Sequence, residues 1–205
     1  MSYKSVCVAG GGVLGSQIAF QAAYCGFDVT IWLRSEGSIG RTQPKIDHVR
    51  EEYVAAIEGM ADGTGDWCPG IADSDEPFDK QAALDAVERA YNSLKLELDL
   101  AVAVADADLV IESMAEDTQA KIEFYQKLAP VLPAKTVVVT NSSTLLPSTF
   151  AKYTGRPEKY LSLHFANSIW KNNMTEVMAQ AQTDKRYFDE LVEFATEIRM
   201  LALPV

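Results

Sequence analysis

His164 and Glu176 are the side chains in this sequence best suited to moving a proton. His164 lies near the end of the apolar run KYLSLHF (159–165), and Glu176 lies within the next run, TEVMA (175–179). A carboxylate beside an imidazole orients the ring and stabilises its protonated form, so such a pair can act as a general base near neutral pH. The alternative is a histidine that is merely hydrogen-bonded inside a strand, and the residues alone leave both interpretations open.

Other polar residues follow the apolar runs at the positions where strands are expected to end. The run TVVVTNSS (136–143) leads into Asn141, Ser142, Ser143 and Thr144, and Asn167 follows the segment that contains the histidine. Ligands of open parallel sheets bind at the carboxyl ends of the strands, which makes these residues candidates for a binding site. An ordinary helix cap or turn is the alternative for the Asn-Ser-Ser-Thr segment.

A glycine-rich turn lies at the start of the chain. The segment SVCVAGGGVLG (5–15) is an apolar run that breaks into glycines at GxGxxG spacing, and an amphipathic stretch (16–24) follows it. Strand, tight turn and helix in this order predict a cradle for a nucleotide pyrophosphate, because glycines permit the turn and the close approach of phosphates and of the helix. A glycine-rich turn without a ligand is the alternative. The residues predicted to bind the cofactor here are Gly10, Gly12, Val13, Leu14 and Gly15.

The elements that must position these residues alternate between strand and helix. Apolar runs at 28–33 and 107–113 predict two further strands, and helices are predicted at 118–128 and 184–200. Leu201–Val205 begins a further element. The fold class predicted from this alternation is α/β, a Rossmann-type doubly wound parallel sheet that forms one dinucleotide-binding domain over residues 1–205.

An acidic helical hairpin is predicted as an insertion at about residues 40–96. Its helices, 43–60 and 77–96, are separated by a loop rich in Gly, Asp and Pro. Residues 44–99 contain 14 acidic and 5 basic side chains, so that the segment carries 5 − 14 = −9 of the formal net charge of −11. We expect the hairpin to project from the sheet, and a solvated face that keeps the protein soluble is the simplest interpretation of its charge.

Composition excludes several classes of protein. A net charge of −11 argues against nucleic-acid binding, which needs a basic surface. No apolar run approaches the roughly 20 residues of a membrane helix, and the residues before the first strand are too few for a signal peptide, so a cytoplasmic location is expected. Cys7, Cys25 and Cys68 are odd in number and far apart, so we expect free thiols and no metal site.

Several motifs in one order resemble the 3-hydroxyacyl-CoA dehydrogenase family. They are the glycine turn, ADLVIESMAED followed by Lys121, the NSST run, HFAN and the downstream TEVM, and they span essentially the whole chain. Within that family the sequence is similar to the bacterial diketoreductase-like branch, on the segments VLGSQIAFQ, TNSSTLLPS, YTGR and HFANSIW. The acyl-CoA enzymes usually have HFFNP in place of HFAN.

The resemblance implies a role for each candidate residue. His164 would be the general base that takes the proton of the substrate hydroxyl, Glu176 would orient it, and Ser143 would hydrogen-bond the substrate oxygen. Glu116 and Lys121 would reach the ribose on the nicotinamide side. By the same resemblance, Asn141 and Asn167 also lie at the cofactor or near the site.

The resemblance also implies a nicotinamide cofactor, a small hydroxy or keto substrate and a homodimer. In the family a second, mostly helical domain supplies a further catalytic asparagine and most of the dimer interface. This chain ends where that domain would begin, so we expect weak or no activity from these 205 residues alone. A redox sensor or fragment that only binds NAD(P) is the rival interpretation from another functional class.

The second predicted strand departs from the pattern of NAD enzymes. An NAD-specific enzyme normally places an acid after this strand, but Leu33 occupies that position and Arg34 and Ser35 follow it. An arginine and a hydroxyl suit a 2′-phosphate, which favours NADP(H). Glu36 could serve as the acid instead, and the family norm is NAD.

The acidic hairpin is a second departure, since the acyl-CoA enzymes have basic groups there. A segment with a charge of −9 would repel the phosphates of CoA, so we predict a small keto or diketo acid or ester as substrate. A gulonate-type sugar-acid dehydrogenase is an alternative, but those proteins usually have a proline-rich segment where this chain has SIWKNN. A 3-hydroxybutyryl-CoA dehydrogenase is a third possibility.

Overall fold

The computed structural model describes residues 3–205, and its centre is a sheet of eight strands. In chain order the strands are β1 (Ser5–Ala9), β2 (Asp28–Trp32), β3 (Lys95–Glu97), β4 (Leu109–Glu112), β5 (Val137–Thr140), β6 (Tyr160–Phe165), β7 (Met174–Met178) and β8 (Leu201–Pro204). Their order across the sheet is β3-β2-β1-β4-β5-β6-β7-β8. The first six strands are parallel, β7 is antiparallel to β6, and β8 is parallel to β7.

Six α-helices connect the strands. They are α1 (Val13–Tyr24), α2 (Glu36–Asp62), α3 (Lys80–Ser93), α4 (Leu100–Val104), α5 (Thr118–Leu128) and α6 (Lys185–Glu197), with short 3₁₀ turns at 129–131, 147–149, 151–153 and 157–159. Each of the last four helices begins at an aspartate whose carboxylate accepts a backbone N–H of the first turn, namely Asp79, Asp99, Asp117 and Asp184. Such caps satisfy donors that have no partner within the helix and so fix where each helix starts.

The sheet is covered on both faces, which confirms the predicted doubly wound α/β fold. Val6 and Val8 of β1 pack into a core formed with α1, α2, α3 and α6, and Cys7 and Ala9 pack into a second core formed with α4 and α5. Side chains alternate between the faces of a strand, so a strand buried on both sides must be almost wholly apolar. That is why the central strands appear in the sequence as continuous apolar runs.

The reversed direction of β7 differs from the alternating pattern predicted from the sequence. Only residues 166–173 join β6 to β7, and no helix lies among them. A parallel strand needs a crossover of a dozen or more residues, so a connection this short returns the chain in the opposite direction. The predicted strand at 175–179 is confirmed, but it pairs directly with the strand before it.

The predicted helical hairpin exists, with different bounds and packing. Its first helix begins at Glu36 rather than at residue 43 and continues through Pro44, and its second helix stops at Ser93 because residues 95–97 form the edge strand β3. The hairpin lies against α1 rather than projecting freely: Tyr53 is fully buried, with its ring centroid 4.9 Å from that of Phe20.

Within residues 3–205, no helix is both long and apolar enough to span a membrane.

Candidate active site

The site lies at the carboxyl ends of β1, β4, β5 and β6. From β1 the chain builds the sheet outward to β2 and β3 on one side, and it then returns to place β4 on the other side. The loops that leave β1 and β4 therefore diverge and leave a crevice between them, which is where open α/β sheets bind ligands.

The glycine turn after β1 has the close contacts that exclude side chains. Gly10 has φ +122°, and a Cβ there would lie 2.5 Å from the carbonyl oxygen of Ser113. A Cβ on Gly15 would lie 2.1 Å from the carbonyl oxygen of Gly10, whereas a Cβ on Gly12 would meet no protein atom within 4 Å. Gly12 therefore borders open space, as the approach of a phosphate requires.

Sequence reasoning missed the constraint on Gly11, the remaining glycine of the turn. Its Cβ would lie 2.1 Å from Oγ1 of Thr42 and 2.8 Å from a methyl carbon of Leu33. The Thr42 hydroxyl also donates to the Gly11 carbonyl at 3.2 Å. The contact joins the turn to α2 across more than thirty residues of sequence, and a motif with glycines only at the first, third and sixth positions does not reveal it.

The start of α1 offers unpaired donors beside this turn. Gly12 is the residue before the helix, has no side chain to cap it, and leaves the first N–H groups of α1 without a side-chain partner. Val13 is 60% exposed at the same end. Free N–H groups and the positive end of the helix dipole favour an anion here, so the turn suits a pyrophosphate.

A cleft of about 470 Å³ extends from the turn along α2. Its wall at the end of β2 consists of Leu33, which is buried, and Arg34, which is exposed. The first turns of α2 add Ser38, Arg41 and Lys45. Trp32 of β2 and Thr42 of α2 also line the cleft, and the rest of its lining comes from the glycine turn and from residues after β4.

The polar groups of this cleft are connected to each other. An N–H group of Arg41 donates to Oγ of Ser38 at 2.9 Å, and that oxygen lies 3.0 Å from Oγ of Ser35. The charge count over residues 44–99 does not reveal this arrangement, because Ser35, Ser38 and Arg41 precede that segment and because a summed charge does not distinguish the faces of a helix. The face of α2 that lines the cleft carries Arg41 and Lys45, one turn apart, in a hairpin whose net charge is negative.

His164 and Glu176 face each other across the antiparallel pair β6 and β7. They are register partners, and Nδ1 of the imidazole lies 3.1 Å from Oε2 of the carboxylate. Their side chains are 29% and 47% exposed. Within this pair the neighbouring Thr175 hydroxyl donates to the carbonyl oxygen of His164 at 2.9 Å. The ring is therefore held by a carboxylate and is still partly exposed.

The segment after β5 is tied to two neighbouring elements. Oδ1 of Asn141 accepts the N–H of Phe165 at 3.0 Å, which fixes the end of β5 against the end of β6. The carboxylate of Glu116 accepts the hydroxyls of Ser142 at 2.6 Å and Thr144 at 3.1 Å. Ser143 is exposed, and among the described residues its hydroxyl has no hydrogen-bond partner, so it can donate to a ligand.

The loop after β6 is connected to α1. Asn167 is exposed, and the next residue, Ser168, has φ 56° and donates its N–H to Oε1 of Gln17 at 2.9 Å. Gln17 lies in the second turn of α1, just beyond the glycine motif. This bond and the contact of Asn141 with Phe165 bring the histidine strand, the serine segment and the glycine turn to one region of the sheet edge.

Lys121 occupies a different environment from the one the resemblance suggests. It is fully buried, and its ammonium lies 2.6 and 2.8 Å from the two oxygens of Glu112 and 3.7 Å from Glu116. Sequence reasoning missed Glu112, although a glutamate inside an otherwise apolar strand indicated it. Burial is the main cause that raises the pKa of Tyr125, and the charge of Glu112 is the second. The hydroxyl therefore keeps its proton and donates to the carboxylate of Glu112 at 3.1 Å.

Comparisons with known proteins agree with the fold and with the motifs. Residues 5–205 match the family model described as 3-hydroxyacyl-CoA dehydrogenase, NAD binding domain. The chain is 28% identical over 191 residues to the mitochondrial hydroxyacyl-coenzyme A dehydrogenase of Rattus norvegicus, covering 93% of this chain and 55% of that protein. It is 29% identical over 195 residues to a 3-hydroxybutyryl-CoA dehydrogenase of Bradyrhizobium diazoefficiens, covering 95% and 58%.

Among solved structures, a diketoreductase described as catalysing reactions of dicarbonyl compounds is 38% identical, with a TM-score of 0.78. The match covers 100% of this chain and 65% of that one, and it confirms the similarity to diketoreductases. The chain thus spans only about half to two thirds of the length of these relatives.

Proposed function

Because the chain belongs to the 3-hydroxyacyl-CoA dehydrogenase family, we propose that it takes part in an oxidoreductase reaction at the 3-hydroxy or 3-keto carbon of a small substrate. The observation that carries the proposal is the pairing of His164 with Glu176 at 3.1 Å, at the sheet edge that also holds the glycine turn. The open space at Gly12 and the uncapped start of α1 fit a dinucleotide, which would supply or accept the hydride when bound.

Each residue then has a distinct task. His164 takes the proton of the substrate hydroxyl during oxidation and returns it during reduction, because its ring is accessible and Glu176 stabilises the charge it gains. The hydroxyl of Ser143 donates to the substrate oxygen as charge develops there. Glu116, which accepts the hydroxyls of Ser142 and Thr144 on either side of Ser143, would reach the ribose on the nicotinamide side, and Lys121 would act there through Glu116 rather than by direct contact.

A turnover assay with two variants tests this division of tasks. His164→Ala should lower kcat by roughly 100-fold or more, because it removes the proton-transfer group, and should leave cofactor affinity nearly unchanged. Gly12→Ala should weaken cofactor binding first. Cofactor binding by the wild-type protein, with no turnover of any β-keto substrate, would support the rival interpretation of a non-catalytic NAD(P)-binding module.

For the cofactor itself, the proposal is NADP(H). Leu33 occupies the place of the acid that would repel a 2′-phosphate, and Arg34, Arg41 and the hydroxyls of Ser35 and Ser38 surround the same end of the cleft. A guanidinium binds phosphate through charge-assisted hydrogen bonds, and two of them converge here. Glu36, at the start of α2, is the acid that could favour NAD instead.

Fluorescence titration with NADH and with NADPH distinguishes the two cofactors. Arg41→Ala should weaken NADPH binding by roughly tenfold or more and leave NADH binding unchanged. The reason is that the 2′-phosphate, which NADH lacks, is the cofactor group proposed to contact this side chain. Glu51→Ala is the control for a change on the same helix, because Glu51 is exposed, lies outside the cleft and has no hydrogen-bond partner among the described residues. A preference of the wild-type protein for NADH above roughly tenfold would end the NADP proposal.

The proposed substrate is a small keto or diketo acid or ester. Similarity to a diketoreductase that acts on dicarbonyl compounds supports it. The charge of the hairpin supports it less than the sequence suggested, because the groove beside Ser168 and Trp170 is lined by Arg41, Lys45 and His48 of α2. Much faster turnover of acetoacetyl-CoA than of a free β-keto ester would contradict the proposal.

The homodimer stays a prediction that rests on the family resemblance, and the cytoplasmic location stays a prediction from the apolar pattern of the sequence. Light scattering of the full-length protein gives its mass in solution and so tests the first, and fractionation of the source cells tests the second.

A further inference from the structure

The carboxylate of Glu112 is a buried charge that the proposed reaction does not use. It lies at the end of the central strand β4 and is 0% exposed. Besides Lys121 it accepts the N–H of Met114 at 2.7 Å and the hydroxyls of Tyr125 at 3.1 Å and Thr140 at 2.8 Å. Both carboxylate oxygens are thus engaged by groups from the loop after β4, from α5 and from β5.

These contacts close into a ring beneath the candidate active site. From Glu112 the ring passes through the ammonium of Lys121 to the carboxylate of Glu116, at 3.7 Å, and from there to the hydroxyl of Ser142, at 2.6 Å. The N–H of Ser142 donates to Oγ1 of Thr140 at 3.2 Å, and that hydroxyl returns to Glu112.

The ring fixes both sides of the peptide that leads to Ser143. The N–H of Ser142 is held from the strand side, and its hydroxyl is held by Glu116 while accepting the N–H of Leu145 at 2.9 Å. Ser143 lies between Ser142 and Leu145, which are joined by this last hydrogen bond, but it makes no protein hydrogen bond of its own among the described residues. Its backbone is therefore fixed and its hydroxyl left available.

We propose that the ring of Glu112, Lys121, Glu116, Ser142 and Thr140 sets the position of Ser143, and that Ser142 and Thr140 are positioning residues for the proposed reaction. The inference rests on the proposed role of Ser143. A buried ion pair is often no more stabilising than apolar residues of the same volume, so stability alone gives little reason for one here. A misplacement of about 1 Å at a reacting group can lower a rate by roughly 100-fold, which gives positioning a measurable effect.

Steady-state kinetics of the full-length protein with Ser142→Ala and Thr140→Val test the proposal. Both variants should lower kcat for a β-keto substrate by about tenfold or more, with KM changed much less. Ser142→Thr keeps the hydroxyl and should restore most of the rate. Ser162→Ala is the matched control: this serine is equally buried and donates to the carbonyl oxygen of Thr140 at 3.2 Å, but it lies outside the ring.

A double-mutant cycle separates positioning from mere stability. If Ser142 acts through Ser143, Ser142→Ala should have almost no further effect on kcat in a Ser143→Ala protein. An undiminished loss of kcat in that background would overturn the proposal, as would equal losses of kcat from Ser142→Ala and Ser162→Ala. If Ser142→Ala only weakens cofactor binding, the ring positions Glu116 rather than Ser143, and that result would also overturn the proposal.

Failure of the proposed function gives a different result. In that case the wild-type protein reduces no β-keto substrate with either nicotinamide cofactor, and Ser143→Ala changes nothing. Failure of the positioning proposal alone leaves an active wild-type protein that depends on Ser143, and it appears either as no loss of kcat in Ser142→Ala or as one of the overturning results of the double-mutant cycle and its control.

Discussion

Glu176→Gln isolates the charge that the proposal assigns to the histidine pair. Glutamine keeps the shape of the side chain and an oxygen that can accept from the imidazole, so the ring stays oriented while the negative charge is removed. At a separation of 3.1 Å, and with an effective dielectric constant of about 40 because the carboxylate is half exposed, the charge stabilises an imidazolium by about 2.7 kcal/mol. If the histidine is fully protonated only in the transition state, kcat should fall by roughly 100-fold.

The assay is the change in nicotinamide absorbance at saturating substrate, together with a fluorescence titration of the cofactor. Glu193→Gln is the control, because Glu193 is an exposed residue of α6 whose side chain makes no hydrogen bond or ion pair among the described residues. The substitution therefore removes one negative charge and breaks no contact. We expect unchanged cofactor affinity in both variants and a reduced kcat only in Glu176→Gln. A fall in kcat of less than about fivefold, or one matched by the control, would refute the electrostatic role of Glu176.

Three further predictions follow from the geometry. Gly15→Ala should strongly lower the melting temperature, because its Cβ would lie 2.1 Å from the Gly10 carbonyl oxygen. The Cβ of Gly12→Ala meets no protein atom, so that variant should melt at the wild-type temperature but bind cofactor weakly. Equal melting temperatures of the two variants would contradict this prediction. Burial acts to raise the pKa of Asp108, but hydrogen bonds from a lysine and from two backbone N–H groups outweigh it, so the pKa of this carboxyl is lowered from 3.8. The charged carboxylate therefore stabilises the fold at neutral pH, and this contribution is lost as the pH falls below that value. In thermal melts, Asp108→Asn should be less stable than the wild-type protein at neutral pH, and the difference should vanish at low pH. Burial raises the pKa of Cys7 to about 12, so iodoacetamide should label this thiol only after unfolding, which mass spectrometry of native protein checks.

The local signals in the sequence were sufficient for the glycine turn, for the central strands and for the histidine strand. Each of these depends on residues that are adjacent in the chain, such as the apolar run before Gly10. The pairing of His164 with Glu176 was implied only by the family resemblance, because the residues alone left open whether the two side chains meet; in the structure it depends on the antiparallel return of β7, which the sequence pattern did not predict. The strand β3 was wrongly assigned to a helix, since three residues at a sheet edge carry almost no pattern of their own.

The features that sequence reasoning missed depend on distant contacts or on helix faces. Glu112 and Lys121 meet because β4 and α5 pack together, and Thr140 joins them from a strand 28 residues further along the chain. Arg41 and Lys45 line the cleft beside the glycine turn although the summed charge of their hairpin is negative. A total charge says nothing about direction, so only the fold could reveal a basic face on an acidic segment.

The antiparallel pairing of β6 with β7 holds His164 opposite Glu176 independently of the loop that joins the two strands. Since backbone ladder bonds hold His164 opposite Glu176, the eight residues between the two strands do not have to maintain the spacing of the pair. Substitutions at the exposed positions of 166–173, namely Asn167, Lys171 and Asn172, should therefore leave this pairing intact, whereas Ile169 and Trp170 are buried in the core and have to be kept. For protein engineering, the exposed part of the connection is the place to vary the surface beside the histidine without rebuilding the sheet.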